Sequence, residues 1–204
     1  MTLLELRDLH ARYGEQQALH AVSLTVDEGE LVVLRGGAGA GKTTLLRAIS
    51  GTVRTHGTVL LDGERVVPHT PEHLAREGVA HVPADRGTFA PLSVLDNLRV
   101  GGWVRGGTSA RDLARVFELY PELYERRGVR AGSLAVDEQE LLALGRAVMA
   151  HPRLVLVDDP SEGMHERLRE LNERGTAILV ATRGEAPAGA RGYVIEAGIA
   201  RLVA

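Results

Sequence analysis

Apolar and polar residues alternate along much of the first part of the chain, a period of two that is typical of strands buried on one face. Asp27-Glu28-Gly29 predicts a turn between two such runs, and Asp62-Gly63 between two others is a strong signal for a hairpin. Thr70 followed by Pro71 predicts the start of a short helix that ends near Gly78. The pattern predicts strands over 3–9, 21–26, 31–34, 57–61, 64–67 and 79–82.

The pattern changes at about residue 87, and from there to about residue 150 it is mainly helical. Two Ser-x-x-Asp sequences, at Ser93 and Ser109, fit the start of helices that are closed by a capping box. Strand and helix then alternate again, with strands predicted over 154–157 and 176–181 and a helix over 165–174. We therefore predict one α/β domain over 1–204, with a small antiparallel β-lobe and a helical lobe over about 87–150.

A glycine-rich segment, Gly36-Gly37-Ala38-Gly39-Ala40-Gly41-Lys42-Thr43, lies between a predicted strand and a predicted helix. This is the order that a phosphate-binding P-loop needs, because its backbone N–H groups surround the phosphates at a helix N-terminus. Lys42 is the only lysine among 24 Lys and Arg residues, so this position favours a compact ammonium over a guanidinium. The segment predicts nucleotide binding through Gly36, Gly39, Ala40, Gly41, Lys42, Thr43 and Thr44. A glycine-rich turn that binds nothing is the alternative.

Composition limits the other classes of function. A net charge of −3 without a cluster of basic residues argues against nucleic acid as the main partner. The absence of cysteine excludes disulfides and thiolate metal sites, and it fits a reducing cytoplasm. The N-terminus lacks the pattern of a signal peptide, and the apolar runs are far shorter than the roughly 20 residues of a membrane helix. We expect a cytoplasmic protein.

The segment from Gly145 to Pro160, GRAVMAHPRLVLVDDP, resembles the corresponding region of ATP-binding-cassette (ABC) transporter ATPases. Together with the P-loop, the resemblance extends over nearly the whole chain. It is most similar to the branched-chain amino-acid importer ATPases, through Val82-Pro83, Leu92-Ser93-Val94, Asn97-Leu98 and 130–134. The resemblance implies a P-loop NTPase core, ATP and Mg²⁺ as cofactors, a second ABC ATPase subunit, and permease subunits at the cytoplasmic face of the membrane.

The resemblance also implies roles for individual residues. Asp158 ends an apolar strand where the family has its Mg²⁺-organising aspartate, and Thr43 would be the second protein ligand. As an alternative, an aspartate after a strand is often only a turn residue. Tyr13 lies where family members stack an aromatic ring on adenine, although a tyrosine at a strand edge is also commonly a packing residue.

Several family residues are substituted. Asp159 stands where the family has its glutamate general base, and aspartate is one methylene shorter. The switch histidine is expected directly after the 176–181 strand, which places Thr182 in that position. After Val82-Pro83, Ala84 and Asp85 replace the usual glutamine or glutamate, and whether Asp85 can substitute for it is open.

The signature Leu-Ser-Gly-Gly-Glu-Gln, which closes over the γ-phosphate bound by the partner, is here Leu134-Ala135-Val136-Asp137-Glu138-Gln139. A negative charge at Asp137 opposes a phosphate. Two hypotheses follow: an importer ATPase that hydrolyses MgATP slowly with Asp159, or a nucleotide-binding structural or regulatory subunit that pairs with a competent partner. A P-loop kinase and a soluble ABC protein of repair or translation are less well supported by the motifs.

Overall fold

Two β-sheets and a group of helices form the fold of the computed structural model, which describes residues 1–67, 69–184 and 190–203. The strands are β1 (Thr2–Tyr13), β2 (Gln16–Asp27), β3 (Leu31–Arg35), β4 (Thr55–Leu61), β5 (Glu64–Arg65), β6 (Val79–Val82), β7 (Leu154–Asp158), β8 (Ala177–Thr182), β9 (Arg191–Glu196) and β10 (Ile199–Val203). The α-helices are α1 (Lys42–Ile49), α2 (Pro71–Arg76), α3 (Val94–Gly101), α4 (Ala110–Leu119), α5 (Pro121–Glu125), α6 (Val136–Met149) and α7 (Met164–Glu173).

The larger sheet has the strand order β10-β9-β3-β8-β7-β6. Strands β9, β3, β8, β7 and β6 run parallel, and β10 pairs antiparallel with β9. Both faces are covered, so the strands are apolar at nearly every position, as parallel strands usually are. Parallel pairing also brings the carboxyl ends of β3, β7 and β8 to one edge of the sheet, where the candidate site lies.

The smaller sheet is antiparallel, with the order β2-β1-β4-β5. It forms the predicted β-lobe, but β1 and β2 are longer than the alternation indicates. The register of β1 against β2 shifts between Leu6 and Leu9, and Asp8 and Ala21 have φ of 48° and 52°. The register shifts again after Leu9, so the alternation marks β1 only as far as Leu9 and β2 only from Ala21 onwards.

Helices α3 to α6 form the predicted helical lobe. Their apolar residues make a second core cluster that meets the sheet through Val155 and Val157, whereas Leu154 and Leu156 face the first cluster around β1 and α1. A Cβ on Gly145 would lie 2.7 Å from the Leu123 side chain, so this glycine allows α6 to pack closely on α5.

The cap prediction at Ser109 is confirmed in full. The Ser109 hydroxyl accepts a hydrogen bond from the Asp112 backbone N–H at 3.1 Å, and the Asp112 carboxylate accepts from Ser109 N–H at 2.9 Å. At Ser93 the hydroxyl likewise accepts from Asp96 N–H. Within the described residues, no helix is long and apolar enough to cross a membrane.

Candidate functional site

The P-loop joins β3 to α1, as predicted. Gly39 and Gly41 have φ of 73° and 108°, a region that residues with a Cβ rarely adopt, so the chain can turn sharply just before the helix. Helix α1 begins at Lys42, has no side-chain cap and has no acidic residue in its first turn. Its first N–H groups therefore lack a competing anion, which is the arrangement that binds phosphate.

Lys42 lies inside this loop, with only 8% of its surface exposed. Its Nζ donates hydrogen bonds to the carbonyl oxygens of Gly36, at 2.6 Å, and Gly37, at 3.0 Å. The ammonium is thereby held across the loop by groups that carry only partial charge. A phosphate oxygen would offer it a full negative charge.

Gly36 lies beneath the loop and does not line the cavity described below. A Cβ at this position would be 2.5 Å from the backbone oxygen of Ile195, which is closer than real Cβ contacts. The sequence predicts Gly36 as a nucleotide-binding residue. The structure gives it a different place, where it allows the loop to pack on β9 and supplies a carbonyl to Lys42.

Gly36→Ala is therefore expected to destabilise the protein by about 1–3 kcal/mol, because either the loop or β9 must move. Gly37→Ala is the matched control, since nothing lies within 4 Å of a Cβ there. Urea unfolding of the two variants measures the difference, and ATP affinity is expected to fall with Gly36→Ala only. Equal stability of both variants would contradict the role given to Gly36.

A cavity of about 590 Å³ opens in front of the loop, and its size is ordinary for a small-molecule site. The structure brings together there nearly all of the predicted site residues. Its lining consists of Tyr13, Gln16, Gln17, Ala18, His20, Ala38, Gly39, Ala40, Gly41, Lys42, Thr43, Thr44, Ala84, Asp158, Asp159, Arg183, Ala197 and Gly198. Tyr13 is 44% exposed at the end of β1, so its ring is available to a ligand.

Asp158 ends β7 directly behind the loop and is 4% exposed. The pKa of this carboxyl is raised above its usual value. Burial is the main cause, the neighbouring Asp159 acts in the same direction, and a hydrogen bond from the Thr43 hydroxyl opposes them. A hydroxyl and a carboxylate side by side are hard oxygen donors suited to Mg²⁺. Among the described residues, no group of three or more His, Cys, Asp or Glu could hold a metal by itself, so a metal here would need ligand oxygens as well.

Asp159 follows with a φ of 49°, in the left-handed region that aspartate tolerates better than most residues. Its backbone N–H donates to the Ala181 carbonyl at 2.7 Å, which fixes it against β8. Its carboxylate lies 3.3 Å from the guanidinium of Arg183. The predicted general base therefore points into the cavity and is paired with a cation.

The prediction that Thr182 follows the strand directly is wrong, because β8 extends by one residue and includes Thr182. Thr182 is buried, and its hydroxyl accepts a hydrogen bond from Gly184 N–H at 3.0 Å. The first residue after the strand is Arg183, and it lines the cavity. The position directly after β8 therefore holds an arginine, not a histidine.

The other two substituted segments lie largely outside the cavity. Asp85 is exposed and does not line it, whereas Ala84 does. The signature segment begins α6, with Ala135 at the N-cap and Val136 62% exposed. Glu138 accepts from the Ala135 N–H at 2.9 Å, so the segment is an ordinary helix start.

Sequence reasoning missed several lining residues from other strands. Gln16, Gln17, Ala18 and His20 come from β2, while Ala197 and Gly198 form the turn between β9 and β10. The backbone places that turn against β2, since His20 N–H donates to the Gly198 carbonyl at 2.8 Å. No short motif marks these residues, because they meet only through the packing of distant strands.

Comparison with known proteins gives a consistent result. The family model described as ABC transporter matches residues 19–162. BraG of Pseudomonas aeruginosa, a high-affinity branched-chain amino acid transport ATP-binding protein, is 35% identical over 96% of this chain and 90% of its own length. PotA of Nitrosomonas europaea, a spermidine/putrescine import ATP-binding protein, is 34% identical over 85% of this chain and 48% of its own length. This chain thus spans about half of the latter relative.

Solved structures agree on the fold. An ATP-binding subunit of an ABC transporter is 27% identical, with a TM-score of 0.83 over 97% of this chain and 88% of that one. A dimeric bacterial ABC transporter cassette is 23% identical, with a TM-score of 0.83 over 97% of this chain and 96% of that one. The P-loop, the family match and the relatives together establish that the chain belongs to the ABC transporter family, as an ATP-binding subunit with the α/β P-loop fold of the ABC ATPases.

Proposed function

We propose that residues 1–204 act as a single ABC ATPase domain that binds MgATP and couples it to membrane permease subunits of an importer. The observation that carries the proposal is the buried Lys42 in its loop, with Thr43 and Asp158 beside it at one edge of the sheet. Lys42 would bind the β- and γ-phosphates, and the N–H groups of the loop and of α1 would bind the same phosphates. Tyr13 would contact the adenine.

Thr43 and Asp158 would hold Mg²⁺, which would neutralise negative charge on the phosphates. Asp158 is 4% exposed, so its carboxylate is poorly solvated, which raises its pKa, and it would gain from a cation. Asp159 would accept a proton from the attacking water. Since its side chain is short, we propose that hydrolysis is slow.

Asp158→Asn is expected to remove the effect of Mg²⁺ on ATP affinity while leaving Mg²⁺-free binding intact. Glu72→Gln is the control, because Glu72 is exposed on α2 and does not line the cavity. Calorimetric titration with ATP, in excess Mg²⁺ or in EDTA, measures both affinities. A Mg²⁺ effect that persisted unchanged in Asp158→Asn would remove this residue from the metal site.

We further propose that the cargo is a branched-chain amino acid, which is what the name of BraG states for that relative. The partners would be permease subunits at the cytoplasmic face of the membrane and a second ABC ATPase subunit, identical or different. ATP turnover by the purified chain alone, then with permease subunits, then with a second cassette, tests this assembly. We expect stimulation at each step, and a rate that no partner changed would refute the coupling.

A second candidate function is a nucleotide-binding structural or regulatory subunit that pairs with a competent ABC partner. The signature segment favours it, because Asp137 places a negative charge at the start of α6, where a γ-phosphate bound by the partner would dock. In that case a mixed dimer would hydrolyse ATP and the isolated chain would not. The same series of assays separates the two functions.

A further inference from the structure

A second cavity, of about 390 Å³, lies at the edge of the larger sheet where the parallel strands begin, opposite the edge that carries the P-loop. Its lining comes from β1, the turn before β3, the segments that lead into β7 and β8, and α4. Three of the lining residues are arginines from separate elements, Arg115, Arg153 and Arg174. The cavity shares no residue with the one in front of the P-loop.

Two carboxylates take up the charge of Arg153. Its guanidinium donates to both oxygens of Asp62, at 2.5 and 2.7 Å, and lies 3.5 Å from the Glu28 carboxylate, which also lines the cavity. Paired hydrogen bonds to one carboxylate hold a guanidinium in a fixed orientation. Arg153 is therefore a wall of the cavity, and the other two arginines are the ones that a ligand can use.

His151 positions the Arg115 side chain. An arginine can only donate, so the contact of 3.3 Å between its guanidinium and His151 Nδ1 makes Nδ1 the acceptor. The other ring nitrogen, Nε2, then donates to the Asp112 carboxylate at 2.6 Å. Arg115 is partly buried and is thus held in place by a ring that does not neutralise its charge.

Arg115 and Arg174 form no ion pair with a carboxylate in the parts of the chain that the structure describes. Their charges meet in one region, as the buried phenol of Tyr120 shows. Burial and Glu170 raise the pKa of this phenol, whereas Arg167, Arg174 and Arg115 lower it. Glu170 lies 3.4 Å from Arg167, so its charge is already paired.

Two guanidinium groups without carboxylate partners favour a ligand with two negative charges on neighbouring oxygens. A phosphate monoester carries nearly two charges at neutral pH, and its oxygens match the hydrogen-bonding geometry of guanidinium groups. Apolar or small residues form much of the remaining lining, namely Leu3, Gly29, Pro152 and Gly175. The volume is within the usual range for small-molecule sites, so the group that carries the phosphate has room as well.

We propose that this cavity is a second anion site, which binds the phosphate group of a small phosphorylated metabolite between Arg115 and Arg174. The site does not depend on ATP binding at the P-loop. Because Arg115 belongs to α4 and Arg174 follows α7, a bound phosphate joins the helical lobe to an element beside β8. Binding should therefore stabilise the folded chain.

Titration of the Lys42→Ala variant with inorganic phosphate and with glycerol 3-phosphate tests the site, because this variant lacks the lysine of the P-loop. We expect both compounds to bind. The melting temperature should rise by about 3–5 °C at ten times the dissociation constant. Adding Arg174→Ala or Arg115→Ala should weaken both affinities by about tenfold or more, because a charged hydrogen bond is lost.

Arg111→Ala on α4 and Arg169→Ala on α7 are the matched controls. Each removes the same charge from an exposed position that does not line the cavity, and each should keep both affinities within about twofold. The Arg174 side chain makes no hydrogen bond to the described residues, so Arg174→Ala should melt like its parent without phosphate. Arg115→Ala, which loses the contact with His151, is compared at equal folded fraction.

Two results would overturn the second site. One is phosphate binding that disappears with Lys42→Ala, since the phosphate would then have occupied the P-loop. The other is an equal loss of affinity in the control variants and in Arg174→Ala, which would show general attraction to a positive surface. Neither result bears on the P-loop site, because ATP binding by the unaltered chain is measured separately.

Discussion

Lys42→Ala is expected to abolish detectable ATP binding, a loss of about 100-fold or more. The ammonium makes two hydrogen bonds inside the loop and is 8% exposed, so it lies where the phosphates would meet α1. Losing charge-assisted hydrogen bonds to a phosphate chain accounts for a factor of this size. Calorimetry or a fluorescent ATP analogue measures it. Binding that persisted unchanged would refute the assigned site.

Lys42→Arg makes the test more specific. The chain uses arginine at every other cationic position, and a planar guanidinium does not fit between the Gly36 and Gly37 carbonyls as an ammonium does. We therefore expect Lys42→Arg to bind ATP almost as poorly as Lys42→Ala. Thermal unfolding without nucleotide provides the folding control, and both variants should melt close to the unaltered chain.

The single lysine also offers a chemical probe. An amine-reactive reagent has only Lys42 and the N-terminus as targets, because the chain has no other lysine. Bound MgATP should protect Lys42 and leave the N-terminus reactive, which gives an internal reference in one mass spectrum. Protection of both amines, or of neither, would contradict a ligand that sits on Lys42.

The part of the site that the order of residues alone predicts is the P-loop, which is contiguous in the chain, whereas Tyr13, Asp158 and Asp159 were predicted through the resemblance to the ABC ATPases. Gly39 to Thr44 form one strand-loop-helix unit, so the local order of residues predicts their geometry. Asp158 was predicted through the resemblance, and the parallel sheet brings the end of its strand to the same edge as the P-loop. For the P-loop and for Asp158, the local sequence pattern agrees with the position of the residues in the parallel sheet.

The residues that were missed depend on contacts between distant strands. The length of β8 decides whether Thr182 or Arg183 faces the cavity, and a difference of one residue reverses the direction of a side chain. His20 and Gly198 meet through the backbone pairing of β2 with the β9–β10 turn. Neither the length of β8 nor this pairing is encoded in a short motif.

The start of α6 shows how one segment satisfies local structure at the expense of the family's chemistry. Asp137 and Glu138 lie in the first turn, where negative charge stabilises a helix N-terminus. The same charge would oppose a γ-phosphate held by a partner subunit. The segment is therefore a good helix start, and the proposal of slow turnover requires it to be a poor clamp for a partner's phosphate.

We expect the length of the Asp159 side chain to limit the rate of ATP hydrolysis. We expect the isolated chain to hydrolyse ATP at well below about 1 per second, under the usual range of enzymes. Asp159→Glu should raise the turnover about tenfold or more, because the extra methylene brings the carboxylate closer to the water, and correct general-base geometry is worth about 10²–10⁴. Asp159→Asn should lower it.

The backbone conformation at Asp159 makes the substitution Asp159→Glu destabilising. Asp159 has a φ of 49°, which aspartate and asparagine tolerate better than glutamate, so Asp159→Glu should lose stability of about 1 kcal/mol. Steady-state phosphate release, with nucleotide affinity measured in parallel, separates a change in chemistry from a change in binding. Turnover of tens per second in the unaltered chain, lost in Asp159→Asn, would instead show that this aspartate is already an efficient base.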